Sequence, residues 1–262
     1  MSVEHRESVQ GLRRGFAVIR AFSADARELT IADVAIRTGL PRAVARRYLF
    51  TLEELGCIVH TGALFKLTPR LLDLGFTYLS TVQVANFAQP FMERVVAKLH
   101  ESSSIGVLDG HDCVYVARVP AKRIMSINLA VGSRLPAHAT SMGKVLLAYL
   151  PPDRLDAYFA SGPLPRLTKR TICDEAALRK ILDDVRARGW ALSDQETEAG
   201  VRAVAAPIFD RMHQVHAALN VGSHTSRVPM RTLTREYLPV VIDAAQTISR
   251  VLGANVEPRH VR

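Results

Sequence analysis

The sequence has few cysteines, a single tryptophan and no long apolar run. Cys57, Cys113 and Cys173 lie far apart and form no CxxC or Cys/His ligand spacing. This excludes a zinc-ribbon type of site and a disulfide framework, and it indicates reduced, mostly buried thiols in a cytosolic protein. No apolar stretch approaches the roughly 20 residues that a membrane-spanning helix needs. The N-terminus "MSVEHRESVQGLRRG" lacks the apolar core of a signal peptide, so we expect a cytoplasmic location and no membrane partner.

The composition is that of an ordinary globular protein, with 48% hydrophobic and 23% charged residues. A chain of 262 residues is long enough for one large or two ordinary domains. The formal net charge of +9 is spread over both halves, and it favours polyanionic partners only weakly. We see no repeats and no low-complexity segments, so function must be inferred from local motifs.

The first part of the chain predicts three short helices. Apolar residues recur at helical spacing in the first helix, at Leu12, Phe16, Ile19 and Phe22. Thr30 and Asp33 resemble a capping box, with an acidic residue replacing the usual Glu or Gln, and they open a second helix, "IADVAIRT". Gly39 ends that helix, and Pro41 is predicted to occupy the first position of the third.

The third predicted helix has two opposite faces. On a helical wheel its apolar face consists of Val44, Tyr48, Leu52 and Leu55. Arg42 and Arg46 point away from that face, Arg47 lies at its flank, and Ala43 and Ala45 are small enough for a close approach. In a helix-turn-helix the second helix enters the major groove, where arginines meet phosphates or guanine edges. A merely solvated charged face is the alternative.

A hairpin follows this helix. The segment "CIVHTGALFKLTP" has two apolar stretches around the turn residues Thr61 and Gly62. Three helices and a hairpin over residues 1–68 predict a winged helix-turn-helix, with His60 and Lys66 near the DNA backbone. The predicted DNA-binding residues are Thr30, Pro41, Arg42, Ala43, Arg46, Arg47, His60 and Lys66. From spacing and charge alone, a winged-helix protein-interaction module without DNA binding stays open.

The remainder predicts one α+β domain on an antiparallel sheet. A helix, "VANFAQPFMERVVAKLHE", precedes the strands "SSIGVLDG", "CVYVARV" and "IMSINLAV", with Asp109-Gly110 as a hairpin turn. Helices are predicted near 140–150, 152–159 and 174–188. The strands "GWALSD", "RAVAAPIFD" and "VHAALNVGS" then lead to a final helix from Met230 to Leu252.

The segment "LPAHATSMGKVLLAYL" is the best pocket candidate. The backbone N–H groups of residues 140–143 are predicted to be unpaired at a helix start, where the positive end of the helix dipole favours an anion such as a carboxylate. Gly143 would allow the ligand to approach closely. Simple N-capping without a ligand is the alternative. His138 fits either a ligand contact or a hydrogen-bonded, partly buried histidine.

An enzyme hypothesis rests on Ser141 and Lys144, which form an S-x-x-K pattern, with a partial S-D-N at Ser193–Gln195. Serine acyl-transfer enzymes of the penicillin-recognising class use such a lysine to activate the serine. The chain lacks their K-T-G motif and their length, and a match of two fixed positions is expected by chance. The nine histidines are scattered. We therefore expect no enzyme, no cofactor and no metal.

The chain resembles the IclR family of bacterial transcriptional regulators through "RGFAVIRAFS", "LTIADVAIRTGLPRAVARRYLFTLEELGCI", "FKLTPRLLDLG" and "LSDQETEAGVRAVAAPIFD". The segment "YVARVPAKRIMSINLAVGSRLPAHATSMGKVLLA" is most similar to the branch that controls aromatic-acid catabolism through the β-ketoadipate route. The resemblance implies a DNA-binding domain at 1–68, a linker helix at 69–82 with an apolar stripe, and a GAF/profilin-like effector domain at 83–262. It also implies a homodimer or homotetramer on double-stranded operator DNA.

The resemblance places a small carboxylate effector, an aromatic acid or a ring-cleavage product, at the helix start. The positions that align with effector contacts are Thr140, Ser141, Met142, Gly143, Asp194, Glu196, Ala203, Asn220 and Gly222. Two features depart from the commoner family pattern, because Ala203 stands where many members have Cys and "DQETEAG" is one residue shorter. Asn220 offers both donors and an acceptor. Arg202 is predicted to pair with Glu196 or Glu198 as a structural contact.

Overall fold

The computed structural model describes residues 9–23, 25–75, 83–121 and 129–256. The chain divides into two compact units, Met1–Thr81 and Val82–Arg262. Within the predicted linker helix, Pro69–Leu71 forms a 3-10 turn and residues 72–75 are helical. The rest of that prediction lies outside the described residues. No helix in the described part of the chain combines the length and the apolar character that a membrane crossing needs.

The first unit is a winged helix-turn-helix, as predicted. Its elements are α1 (Gln10–Arg20), β1 (Glu28–Leu29), α2 (Ile31–Thr38), α3 (Arg42–Glu54), β2 (Ile58–Thr61) and β3 (Leu64–Leu67). The three strands form an antiparallel sheet in the order β1-β3-β2, and β2 and β3 form the wing. Val18, Leu49 and Phe65 belong to the buried core that joins the helices to this sheet.

Local signals fix the helix ends. Thr30 and Asp33 form the predicted capping box, since the Asp33 N–H donates to Thr30 Oγ1 at 3.2 Å and the Thr30 N–H donates to Asp33 Oδ2 at 2.9 Å. Gly39 takes the left-handed conformation, with φ of 68°, that lets the chain leave α2. Pro41 is the N-cap of α3 rather than its first residue, so α3 begins one residue later than predicted.

The buried faces of α1 and α3 differ from the prediction. In α3 the buried residues are Ala45, Leu49 and Leu52, whereas Leu55 is 58% exposed. The predicted apolar face and the observed buried face share Leu52, so the apolar pattern alone could not distinguish the two faces. Because Ala45 is buried, it faces the core and not a DNA groove. Of the stripe predicted for α1, Leu12 and Phe16 are exposed, whereas Ile19 and Phe22 pack on the core together with Val18.

The second unit is built on an antiparallel sheet, as predicted. Its strands are β4 (Ser103–Asp109), β5 (Asp112–Val119), β6 (Arg134–Pro136), β7 (Ala191–Asp194), β8 (Val201–Phe209) and β9 (Val215–His224), in the order β6-β5-β4-β9-β8-β7. Its helices are α4 (Gln83–Leu99), α5 (Ser141–Ala148), α6 (Pro152–Ala160), α7 (Glu175–Arg188) and α8 (Leu238–Val251). A short turn, Met230–Thr232, and a π-helical stretch, Leu233–Tyr237, precede α8.

Helices α4 and α8 contact each other and the sheet. Helix α5 also packs on the sheet, and α7 packs against α5. Every residue of α5 is buried, which makes this helix the centre of the core. The strand predicted for "IMSINLAV" lies mostly outside the described residues, and its described end, residues 129–131, is not a strand. Only Cys113 of the three thiols is buried, while Cys57 and Cys173 are half-buried.

Candidate functional site

The first unit carries a concave surface between the start of α2, α3 and the turn of the wing, and the space that it encloses has a volume of about 580 Å³. Five of the predicted DNA-binding residues line it: Thr30, Arg42, Ala43, Arg46 and His60. Pro41 and Arg47 are exposed beside it on α3. The sequence-predicted contacts are therefore brought to one basic surface, which is what a groove-reading helix requires.

Lys66 lies apart from this surface. His60 on β2 pairs in register with Phe65 on β3, and their rings stack at 5.2 Å. Side chains alternate along a strand, so Lys66 points to the opposite face of the hairpin, where it is exposed. His60 is held in place by its Nδ1, which lies 2.6 Å from Glu53 Oε1. Lys66 and His60 therefore do not share a surface, and a role for Lys66 at DNA stays a prediction.

The second unit contains a cavity of about 760 Å³ at the N-terminal end of α5. Four of the predicted effector residues line it: Thr140, Ala203, Asn220 and Gly222. Twelve further lining residues carry polar groups that the effector prediction did not include: Glu101, Ser102, Ser104, Tyr115, Arg118, Ser193, Thr197, Glu198, Ser223, His224, Ser226 and Arg227. We call this space the effector cavity. Three of these residues, Ser104, Tyr115 and Arg118, lie on β4 and β5, which carry no local motif.

Arg118 is the cation near the end of β5 in this wall. It is half-buried, and its Nη1 donates to Ser104 Oγ at 3.3 Å. Burial lowers the pKa of the Arg118 guanidinium, which indicates a site where an anionic group would be favoured. Burial raises the pKa of the nearby Tyr115, so its hydroxyl stays protonated and can donate a hydrogen bond. The charged lining residues are therefore Arg118, Glu198 and the ion pair of Arg227 with Glu101, and Tyr115 adds a neutral donor.

The start of α5 is partly satisfied by the chain itself. Thr140 is the N-cap, its Oγ1 accepts the Gly143 N–H at 2.9 Å, and its own N–H donates to the Ala137 carbonyl at 3.2 Å. The prediction that all four N–H groups are unpaired was therefore wrong for these two. Ser141 and Met142 are buried and lie outside the cavity lining. His138 is a buried histidine whose Nε2 lies 3.0 Å from the Pro165 carbonyl, which supports the structural alternative.

Gly143 has a packing role that the sequence did not reveal. A Cβ built on Gly143 would overlap the carbonyl oxygen and Cα of Ala137. The absence of a side chain at Gly143 therefore makes room for the turn before α5. The sequence-based prediction was that it makes room for a ligand.

We expect Gly143→Ala to lower the melting temperature by several degrees, because the added methyl group meets backbone that cannot move away cheaply. Thermal unfolding followed by circular dichroism measures this. Gly75→Ala is the matched control, since no atom of the described residues lies within 4 Å of its Cβ position. Equal melting temperatures for the two variants would contradict the packing role.

Asp194 and Glu196, predicted to contact effector, make ion pairs instead. Asp194 Oδ2 accepts from Arg170 at 2.6 Å and Asp194 Oδ1 from Arg202 at 3.0 Å, so Arg202 does not pair with Glu196 or Glu198 as predicted. Glu196 forms a buried ion pair with Lys144, whose Nζ also donates to the Leu192 carbonyl at 3.2 Å. Neither acidic side chain lines the effector cavity.

The same contacts bear on the S-x-x-K hypothesis. The Lys144 ammonium donates to Glu196 and to Leu192, and the buried Ser141 hydroxyl has no hydrogen-bond partner among the described residues. The pair thus lacks the contact by which the lysine would activate the serine. Among the described residues, no group of three or more His, Cys, Asp or Glu side chains is placed to hold a metal ion.

Comparisons with known proteins agree with both halves of this architecture. The IclR helix-turn-helix domain matches residues 11–62, and the bacterial transcriptional regulator IclR C-terminal domain matches residues 76–250. The chain is 42% identical over 242 residues to the Pca regulon regulatory protein of Pseudomonas putida, covering 92% of this chain and 83% of that protein. It is 37% identical over 255 residues to the p-hydroxybenzoate hydroxylase transcriptional activator of Acinetobacter baylyi, covering 95% and 94%. Its fold matches an IclR homologue from Microbacterium hydrocarbonoxydans complexed with 4-hydroxybenzoate, with a TM-score of 0.82, 25% identity and coverage of 93% and 99%.

Proposed function

The chain belongs to the IclR family of bacterial transcriptional regulators, and we propose that α3 reads operator DNA while the effector cavity holds an aromatic acid. It is a DNA-binding regulator whose activity a small molecule modulates. The effector changes the equilibrium between states of the regulator only by its differential affinity for them. We place this activity in the cytoplasm, because that is where bacterial operator DNA lies.

The DNA-reading residues follow from the concave surface of the first unit. We assign Arg42 and Arg46 to base edges in the major groove, Arg47 to phosphate, and His60 at the wing to the backbone. We further propose a homodimer or homotetramer, for which the exposed Leu72 and Leu74 beside the winged domain offer apolar surface. Half-sites should then lie one or two helical turns apart, because paired domains reach successive grooves on one side of the duplex.

The observation that supports an aromatic acid is the half-buried Arg118 in the cavity wall, because the second lining arginine, Arg227, already pairs with Glu101. Arg118 and Ser104 offer donors to a carboxylate. Leu129 and Leu135 offer apolar surface to a ring, and Asn220 can bond a ring hydroxyl. The cavity volume of about 760 Å³ is in the range of small-molecule sites. A relative's complex with 4-hydroxybenzoate suggests the first ligand to test.

Isothermal titration calorimetry tests this assignment with 4-hydroxybenzoate, protocatechuate and β-ketoadipate. We expect at least one acid to bind, and the neutral isostere 4-hydroxybenzamide to bind about 10-fold to 100-fold more weakly than 4-hydroxybenzoate if that acid binds, because a charge-assisted hydrogen bond is lost. Arg118→Leu should remove this difference, whereas Arg154→Leu, an exposed arginine on α6, should keep it.

Two results would count against the proposal. Binding of no acid, or equal binding of acid and amide, would contradict a carboxylate effector at Arg118. The second result is chemical turnover of the ligand, which chromatography of the ligand recovered after incubation would detect. Turnover would favour the acyl-transfer hypothesis for Ser141 and Lys144.

A further inference from the structure

Phe50 is an aromatic side chain on the outward face of α3, where the DNA-binding surface lies. It follows Arg46 by four residues, which places the two side chains next to each other on the helix. The Arg46 guanidinium carbon is 5.5 Å from the centre of the Phe50 ring, within the range of a cation–π contact. Phe50 lines the same concave surface as Arg46 and remains 39% exposed. Because the Phe50 ring is partly exposed, packing in the core alone does not explain a large apolar side chain at this position.

The ring of Phe50 is itself fixed by the wing. It meets Phe65 edge-on at 5.7 Å and 84°, and it meets His60 edge-on at 5.7 Å and 81°. Phe65 is only 2% exposed, so it ties this group of three rings to the core. His60 stacks on Phe65 and lies beside Glu53 of α3. The orientation of the Phe50 ring therefore depends on both the recognition helix and the wing.

Pre-arrangement matters for an arginine that reads a base. A free arginine side chain loses much rotamer freedom when it makes a bidentate contact, and a planar guanidinium already stacked on a ring loses less. In the described chain, Arg46 is the α3 arginine that stacks on a ring. Arg42, one turn earlier, has an exposed side chain over no such platform in the described residues. The structure thus distinguishes one of the two predicted base-reading arginines.

We propose that Phe50, whose ring the wing holds in place, is a specificity-determining positioning residue that orients the Arg46 guanidinium so that it selects a guanine in the major groove. The inference rests on the proposed reading of DNA by α3 and names the residue that orients one contact. Bidentate recognition of guanine needs the guanidinium plane in one orientation, and the stacked ring supplies that orientation. Phe50 contributes through Arg46, not through a base contact of its own.

The test starts from a randomised duplex library, from which the full-length protein selects its preferred site. Fluorescence anisotropy then gives the affinity of the wild type, Phe50→Tyr, Phe50→Leu, Arg46→Ala and the double variant Phe50→Leu/Arg46→Ala. The duplexes are the selected site, its single-base substitutions and a scrambled sequence. Melting temperatures of all variants show that each is folded.

We expect Phe50→Leu to bind the selected site about fivefold more weakly and to lose preference at the same guanine position as Arg46→Ala. Phe50→Tyr keeps the ring and should behave as the wild type. The double variant should bind the selected site as tightly as Arg46→Ala alone, because both substitutions act on the same contact between Arg46 and guanine. Phe50→Tyr and Phe50→Leu should bind the scrambled duplex as tightly as the wild type does, since both single variants keep the charge of the surface.

Three results would overturn the inference. The first is that Phe50→Leu binds the selected site as tightly as the wild type, the second that it relaxes a different base pair, and the third that its loss adds fully to that of Arg46→Ala. Should Phe50→Leu fail to fold, Phe50→Met replaces it with the same expectations. A failure of the proposed function itself looks different, because the wild type would then select no sequence or Arg46→Ala would bind as the wild type does.

Discussion

Replacing Arg42 and Arg46 together by alanine is expected to weaken binding to the selected operator by at least about 30-fold, since each bidentate base contact contributes about 1–3 kcal/mol. Both side chains are exposed, so the variant should fold normally. Two positive charges also leave the interface, and the dependence of the binding constant on salt should become less steep. Anisotropy titrations across a range of salt concentrations measure both effects.

The matched control is Arg154→Ala/Lys180→Ala, which removes the same charge from exposed positions on α6 and α7 of the second unit. We expect its operator affinity to stay within about twofold of the wild type, because these two charges are not among the proposed DNA contacts and act only through the long-range field. Equal losses in the two double variants would show that net charge, not the α3 surface, governs binding.

Local signals allowed the first unit to be predicted from its sequence. The capping box at Thr30 and Asp33 and the left-handed Gly39 act over three or four residues, so the sequence displays them directly. The buried face of α3 was not determined in this way. Whether Ala45 or Tyr48 faces inward depends on how α1 and the wing pack against α3, which a helical wheel does not contain.

The effector cavity shows the same limit over longer distances. Asn220 and Ala203, which the family resemblance assigns to effector contact together with Thr140, line the same cavity as Thr140. Arg118 was missed, because its place beside Ser104 arises from the register between β4 and β5. Glu196 does not line the cavity, because it forms a buried ion pair with Lys144, which lies 52 residues earlier in the chain. Such pairings appear only once the fold is complete.

Lys144→Met should destabilise the protein by about 3–5 kcal/mol, the loss expected when one partner of a buried ion pair is removed. Lys144 is 1% exposed and Glu196 is 6% exposed, so the remaining carboxylate cannot regain its water shell. One Glu196 oxygen, Oε2, already has no hydrogen-bond partner among the described residues. Urea unfolding measures the change, and an unaltered midpoint would contradict the importance of the pair.

Lys144→Met/Glu196→Met should recover most of that loss, because two apolar side chains of similar size replace the pair without leaving a buried charge. The pH dependence provides an independent check. Burial already raises the pKa of Glu196 above its ordinary 4.5, and Lys144 opposes this rise. Without Lys144 the pKa of the folded state rises further, so the folded Lys144→Met variant binds a proton more readily than the unfolded chain. Its stability relative to the double variant should therefore fall as the pH rises from about 5 toward 8, and it should improve on acidification. A pH-independent difference between the two variants would mean that Glu196 is not the group left uncompensated.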